Sequence, residues 1–310
     1  MDPVSHGIIG LALSSYSGVD VSVNPISIGC MLGAMSPDID FVVRIFSDDK
    51  AYLKHHRGLT HSIPFLGLLS LCITAPLYYG FGGEFSFLSI LLWTFIGAFS
   101  HTFFDMLNSY GAMFFKKKKK ASLLMLYDPV IIISSLYMIL KGHLNFFDYP
   151  IIVGGFCLYL YVRYLMKKKA TEKVLDNYQG VVEIEMIPSL INFFSWRYII
   201  KTDTMNISGE YDILFKSFKK VHKFERRDVE IEELFAKSEV GIYFLDFTPN
   251  VHIEKIEKED YFIIKAIDLR YFYRNSFMHH ATMHFSHDNN HIESFIHPYK
   301  MEKKILFNVG

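Results

Sequence analysis

The chain has 310 residues, zero formal net charge and 51% hydrophobic residues, with a mean hydropathy of +0.20. That apolar content is high for a soluble protein of this size, and the zero charge by itself identifies no partner. Cys30, Cys72 and Cys157 all sit in apolar stretches without metal-binding spacing, which gives no support to a disulfide framework. Of the 32 acidic residues, 10 fall in residues 1–169 and 22 in residues 170–310. The two halves therefore read as different environments.

The first half reads as membrane helices. A span needs about 20 mainly apolar residues, with about 17 as a practical minimum. Val4–Ser17 and Val23–Ile39 are weak candidates, and the first is short enough to be a partly inserted helix. Ile63–Phe81, Phe85–Phe104, Leu124–Leu140 and Ile151–Met166 are strong ones. The expectation is four to six transmembrane helices within residues 1–168.

Basic residues then set an orientation. They gather at Arg44, Lys50, Lys54 and Arg57, at Lys116 to Lys120, and at Arg163 with Lys167 to Lys169. The alternate loops carry Asp20, Glu84 and Asp148, with Lys141 as their base. By the positive-inside rule, residues 40–60, 108–125 and everything after 167 face the cytoplasm. The lysine run can be read as a nucleic-acid patch, but beside a span it reads better as a topogenic, lipid-facing segment. No nucleic-acid partner is expected. The bilayer of the inner (cytoplasmic) membrane is.

Residues 169–180 are charged and read as a linker, open to being a helical continuation of the last span. From 181 to 310 the apolar period shifts towards two. Strands are expected at Val181–Ile187, Trp196–Thr202, Val251–Ile256, Tyr261–Leu269, His279–Phe285 and His291–Ile296, with a hairpin turn at 288–290. Helices are expected at Asp212–His222 and Asp228–Lys237. The whole is a small, mainly antiparallel β domain on the cytoplasmic side. Its histidines (279, 280, 284, 287, 291 and 297) read as structural or solvent-facing, since 280, 284 and 287 keep no single parity. Asp268 and Arg270 share a strand face and can pair.

The polar residues of the first half fall at one end. His6 opens the first segment, and Asp38 and Asp40 close the second. His55, His56 and His61 precede the third, His101 and Asp105 close the fourth, and Asp128 opens the fifth. Helices that alternate in direction bring these positions to the same face. Ionisable groups near hydrocarbon are costly and usually functional.

Each has a plainer reading. His101 and Asp105, four apart, share a helix face as a structural pair or as two ligands. Pro37 and Asp38 favour a turn. Thr60 or Ser62 and Pro64 suit a helix start, as do Asp128 and Pro129. Taken together, imidazoles and carboxylates from five segments suit Zn, Mn or Fe(II). Up to eight ligands exceed one tetrahedral ion and fit two or three. Such centres hydrolyse phosphoesters by activating water.

These motifs carry a resemblance. His6, Pro37–Asp40, the HRGxTHS stretch at 56–62, His101-x3-Asp105 and Tyr110–Gly111 resemble the YdjM-like membrane-bound metal-dependent hydrolases, over residues 1 to about 165. LYDP at 126–129 and, more weakly, DLRY at 268–271 are similar to the YfhP-type branch. The ligand order is similar to that of the phospholipase C and P1 nuclease group, whose helical core holds three zinc ions. The resemblance implies metal roles for His6, Asp38, Asp40, His56, His61, His101, Asp105 and Asp128. It implies catalytic roles for Asp40 and His61, with Arg57 holding a phosphate. The chain lacks the later His-x3-Glu helix of the soluble enzymes, so two ions are a natural reduction.

The function implied is hydrolysis of a lipid or lipid-linked phosphoester at the cytoplasmic leaflet. The alternative is a non-catalytic membrane-anchored regulator or metal sensor. A transporter is disfavoured, because the polar residues sit at one face and not at the mid-membrane.

Overall fold

The computed structural model describes residues 2–39, 61–109, 111–114, 117–226, 229–273, 276–288, 291–297 and 304–307. The described residues form two compact units. One comprises residues up to Lys167 together with Leu190–Phe193, and the other comprises 168–189 and Phe194 onward.

The first unit is helical: α1 (Pro3–Leu13), α2 (Pro25–Met35), α3 (Ile63–Gly80), α4 (Phe87–Leu107), α5 (Pro129–Lys141) and α6 (Asp148–Asn177), with a short hairpin of β1 (Ala112–Phe114) and β2 (Lys117–Lys119) after α4. Their starts follow capping chemistry. Asp2 accepts the amides of Val4 and Ser5 ahead of Pro3, Asn24 accepts that of Ser27 ahead of Pro25, and Asp128 accepts that of Ile131 ahead of Pro129.

Among the described residues, α3, α4 and α6 are long and apolar enough to cross a membrane. The expected span Leu124–Leu140 is shorter than its sequence suggests. Ala121, Leu123 and Leu124 donate their amides to the carbonyls of Met106 and Leu107 in a non-helical stretch, so α5 begins only at Pro129 and has 13 residues. At 1.5 Å per residue that is about 20 Å, short of the roughly 30 Å hydrocarbon core. The expected linker is instead helix through Asn177, as a continuation of α6.

Close backbone approach fixes how α2 meets α4. A Cβ on Gly33 would collide with the carbonyl of Thr94, and one on Gly97 with the carbonyl of Cys30. Small residues at such crossings are the usual way helices associate in lipid. Cys30 lies by Gly97, and Ala34 by His101, so α2 and α4 run the same way and finish together. Gly7 lies against Met35, and Gly10 against Cys30 and Ala34. Hence α1 runs antiparallel to α2 and starts where α2 ends.

The second unit is β-rich and antiparallel throughout its described sheets. β3 (Glu183–Pro188), β4 (Ser195–Lys201), β5 (Met205–Asp212) and β6 (Ser217–Glu225) pair in sequence order. α7 (Val229–Lys237) and α8 (Glu239–Phe247) follow. The second sheet has the order β13-β12-β11-β8-β7, from β7 (Val251–Glu257), β8 (Tyr261–Asp268), β11 (His280–Ser286), β12 (His291–His297) and β13 (Ile305–Phe307). A two-stranded ribbon, β9 (Phe272–Tyr273) with β10 (Ser276–Phe277), lies between β8 and β11.

One face of the five-stranded sheet packs Ile264, Ala266, Ala281, Met283 and Ile296 on Phe235, Val240 and Phe244 of the helices. Its other face meets the first sheet through Ile199, Phe224, Ile267, Leu269 and Phe277. The expected pair forms inside this unit: Arg270 donates from Nε and Nη2 to both oxygens of Asp268. The expected helix Asp212–His222 does not form. Asp212 accepts the amides of Leu214 and Phe215 in a turn, and residues 217–225 pair with β5 as a strand. β5, α8, the β9–β10 ribbon and β13 had no counterpart among the expected elements of this unit. The turn expected at 288–290 lies partly outside the described residues.

Candidate metal centre

Each helix end above delivers a polar group. His6 lies in the first turns of α1, and Asp38 in the 3₁₀ turn Ser36–Ile39 that finishes α2. His61 immediately precedes α3, and His101 and Asp105 lie in the last two turns of α4. His6 and His101 are 0% exposed, and His61 and Asp105 1%.

The side chains converge on Asp105. His6 Nε2 is 3.2 Å from its Oδ1, while His101 Nε2 and His61 Nε2 are 3.6 and 3.8 Å from its Oδ2. His101 Nε2 is also 3.4 Å from Asp38 Oδ1. The rings of His6 and His101 stack with centroids 3.7 Å apart. Two triplets, His6–Asp38–His101 and His61–His101–Asp105, each offer ligand atoms within 4.8 Å of one another.

These residues fit a divalent cation. Ligand bonds of about 2.0–2.2 Å in tetrahedral geometry put donor atoms roughly 3.3–3.6 Å apart, as His101 Nε2 and the two carboxylates are. His6 Nδ1 and His101 Nε2 are buried and make no hydrogen bond, an arrangement that is costly unless something else binds them. His101 Nδ1 donates to the carbonyl of Ala34 at 2.8 Å. A backbone carbonyl can only accept, so the proton sits on Nδ1 and the Nε2 lone pair faces the carboxylates, the tautomer a metal requires. Asp105 is buried in the last turn of its helix, where the macrodipole presents negative charge. Burial and dipole both oppose a carboxylate there unless positive charge lies against it.

Asn108 was not singled out in the sequence, and it belongs to the site. Its Nδ2 donates to Asp105 Oδ1 at 2.8 Å, and its carbonyl accepts from Ser122. The spacing Asp105-x2-Asn108, one helical turn, is the signal that points to it.

Asp128 stands in neither triplet. Its carboxylate caps α5 and accepts the Tyr159 hydroxyl on both oxygens, at 2.8 and 2.7 Å. Asp40, His56 and Arg57 lie outside the described residues, as does Tyr110.

The comparisons agree with this architecture. Residues 230–305 match the YfhP C-terminal alpha/beta plait domain. YfhP, an uncharacterised protein of Bacillus subtilis (strain 168), is 28% identical over 310 aligned residues, covering 93% of this chain and 92% of that protein. No solved structure matches the chain. Residues 1–170, which hold the whole convergent site, match the YdjM inner membrane protein family, and the chain belongs to that family.

Proposed function

We propose that the chain is a membrane-bound, metal-dependent hydrolase of a phosphoester, acting at the cytoplasmic leaflet with its β-rich unit in the cytoplasm. The observation that carries this is the convergence of three buried imidazoles and two carboxylates at one end of the helices. His6, His61, His101, Asp38 and Asp105 would hold one or two ions, with zinc favoured by the nitrogen-and-oxygen set and manganese or iron compatible with it. Bound there, such an ion supplies a polarised water and neutralises phosphoryl oxygens.

The chain's own residues do the positioning. Ala34 fixes the His101 tautomer, Asn108 orients Asp105, and the packed α2–α4 crossing holds both helix ends in register. Two of the helices around the site, α3 and α4, are long and apolar enough to cross a bilayer, which supports a lipid or lipid-linked phosphate as the substrate class. Asp40, His61 and Arg57 remain the assigned catalytic and phosphate-holding residues of this reading.

The test is metal analysis of purified protein together with phosphomonoesterase and phosphodiesterase assays on soluble and lipid substrates. A His101→Ala, Asp105→Ala variant is run beside it. We expect bound metal and turnover in the wild type and neither in the variant. Metal without turnover on any phosphoester would leave the non-catalytic regulator as the surviving role.

A further inference from the structure

Between Asp105 and Asp128 the chain carries no acid, yet it carries five consecutive lysines, Lys116 to Lys120. Within the helical unit this stretch forms the hairpin that follows the His101–Asp105 end of α4. Ala112, Met113 and Phe114 of β1 pair with Lys119, Lys118 and Lys117 of β2. An apolar strand thus lies beside a strand made wholly of lysine. Like charges this close repel one another, so the strand is costly unless anions meet it.

The base of the hairpin is pinned. Gly111 enters it in a left-handed conformation, with φ of 73°, and donates its amide to Asn108 Oδ1 at 3.4 Å. The same Asn108 holds Asp105 through Nδ2, so one side chain joins the hairpin to the metal centre. On the return strand, Ala121 and Leu123 donate to the carbonyls of Met106 and Leu107 at 2.7 and 2.8 Å. Lys167 of α6 donates to the carbonyl of Ala121 at 2.7 Å, which brings a further cation to the base.

The acids of the helical unit are engaged elsewhere. Of the ten in residues 1–169, Asp2 and Asp128 cap α1 and α5, and Asp38 and Asp105 face His101. Asp20 pairs with His143 and Asp148 with Lys141. Glu84 precedes α4, at the opposite end of a 21-residue helix, about 30 Å from the hairpin. Asp40, Asp48 and Asp49 lie outside the described residues.

Position then selects the anion. α4 is long and apolar enough to cross a membrane, and β1 begins five residues past its end. At the end of a span a bilayer presents headgroup phosphates, and lysine clusters there favour acidic lipids. Met113-Phe114-Phe115 ahead of the lysines is the mixture of apolar and basic residues that suits the interface.

We propose that the β1–β2 hairpin binds the headgroup phosphate of an acidic phospholipid, at the helix ends that carry the metal centre. The proposal rests on membership of a membrane family and is independent of any hydrolytic activity.

The test is native mass spectrometry of the full chain in a neutral detergent, with phosphatidylglycerol, phosphatidylcholine or inorganic phosphate added. One variant combines Lys117→Gln, Lys118→Gln and Lys119→Gln. A control makes the same charge change with Lys216→Gln, Lys223→Gln and Lys258→Gln, exposed positions of the β-rich unit. Wild type and control should prefer phosphatidylglycerol to phosphatidylcholine, and the hairpin variant should bind it about tenfold more weakly or worse. Equal affinity for phosphatidylglycerol in the two variants would overturn the proposal. So would displacement of the lipid by inorganic phosphate, which would make the ligand a soluble anion. Two photo-crosslinking variants keep every lysine. Met113→p-benzoylphenylalanine and Phe114→p-benzoylphenylalanine occupy successive strand positions, which face opposite sides. At least one should capture phosphatidylglycerol in nanodiscs, and capture at neither would overturn the proposal even if the lysine variant fails to fold.

Discussion

The Nδ1 proton of His101 is donated to the carbonyl of Ala34, 2.8 Å away across the α2–α4 crossing. One backbone bond thus aims the Nε2 lone pair at Asp38 and Asp105. Replacing Asp105 with Asn keeps the volume and removes the charge that the three imidazoles surround. We expect Asp105→Asn to purify folded, with normal helical circular dichroism, and to lose its metal. Wild-type metal stoichiometry by elemental analysis would remove Asp105 from the ligand set.

Asn108 acts one step further out. Its amide holds Asp105 Oδ1, and partners of this kind typically tune metal affinity by about 10–100-fold. Asn108→Leu, similar in volume and without the donor, should weaken metal binding by that order in a chelator competition. The stoichiometry at saturating metal should stay unchanged. An unaltered competition curve would reduce Asn108 to a turn residue.

Gly97 tests the scaffold. A methyl there meets the Cys30 carbonyl, a backbone atom that cannot swing away. We expect Gly97→Ala to cost about 1–3 kcal/mol by forced separation of α2 and α4 and to displace His101 one turn below. Gly154 of α6 meets nothing within 4 Å, so Gly154→Ala should be neutral or gain up to about 1 kcal/mol from helix propensity. Unfolding in detergent, compared between the two variants, checks the difference. Equal stabilities would mean that the crossing tolerates bulk.

What was legible in the sequence follows from which forces act locally. The polar residues at helix ends could be read because lipid leaves few places for His101 or Asp105. Four strands of the five-stranded sheet could be read because Ile264, Ala266, Ala281 and Met283 alternate cleanly, whereas the three-residue β13 is too short to show a period. Three features were hidden by interactions that act across the chain. Leu124 looks like the start of a span, but its amide is held outside any helix by the Leu107 carbonyl. Residues 212–222 carry a helix-like pattern, yet Asp212 nucleates a turn and β5 recruits the strand. Asn108 has no signature apart from its distance to Asp105.

The β-rich unit has its own acid response. His280 donates from Nε2 to the carbonyl of Phe277, which leaves Nδ1 buried without a hydrogen bond. Burial and then the nearby Lys265 cation lower its pKa to about 4. His252, also lowered to about 4 chiefly by burial, accepts at Nδ1 from Asn206 at 3.3 Å, a bond that protonation would turn into two donors facing each other. In the unfolded chain both imidazoles titrate near 6.5. Between about pH 6.5 and 4 the unfolded state therefore binds more protons, and stability falls as pH falls through that window. Allowing for solvent screening, each histidine should cost about 1–2 kcal/mol by pH 4 and nothing above pH 7. The signal is Trp196, buried in β4 of the same unit, in a Trp93→Phe background during urea unfolding of the full chain. His280→Gln keeps a donor for Phe277 and removes the titration, so its stability should decline less steeply from pH 6.5 to 4 than that of the parent. Parallel declines would show that His280 is as readily protonated folded as unfolded.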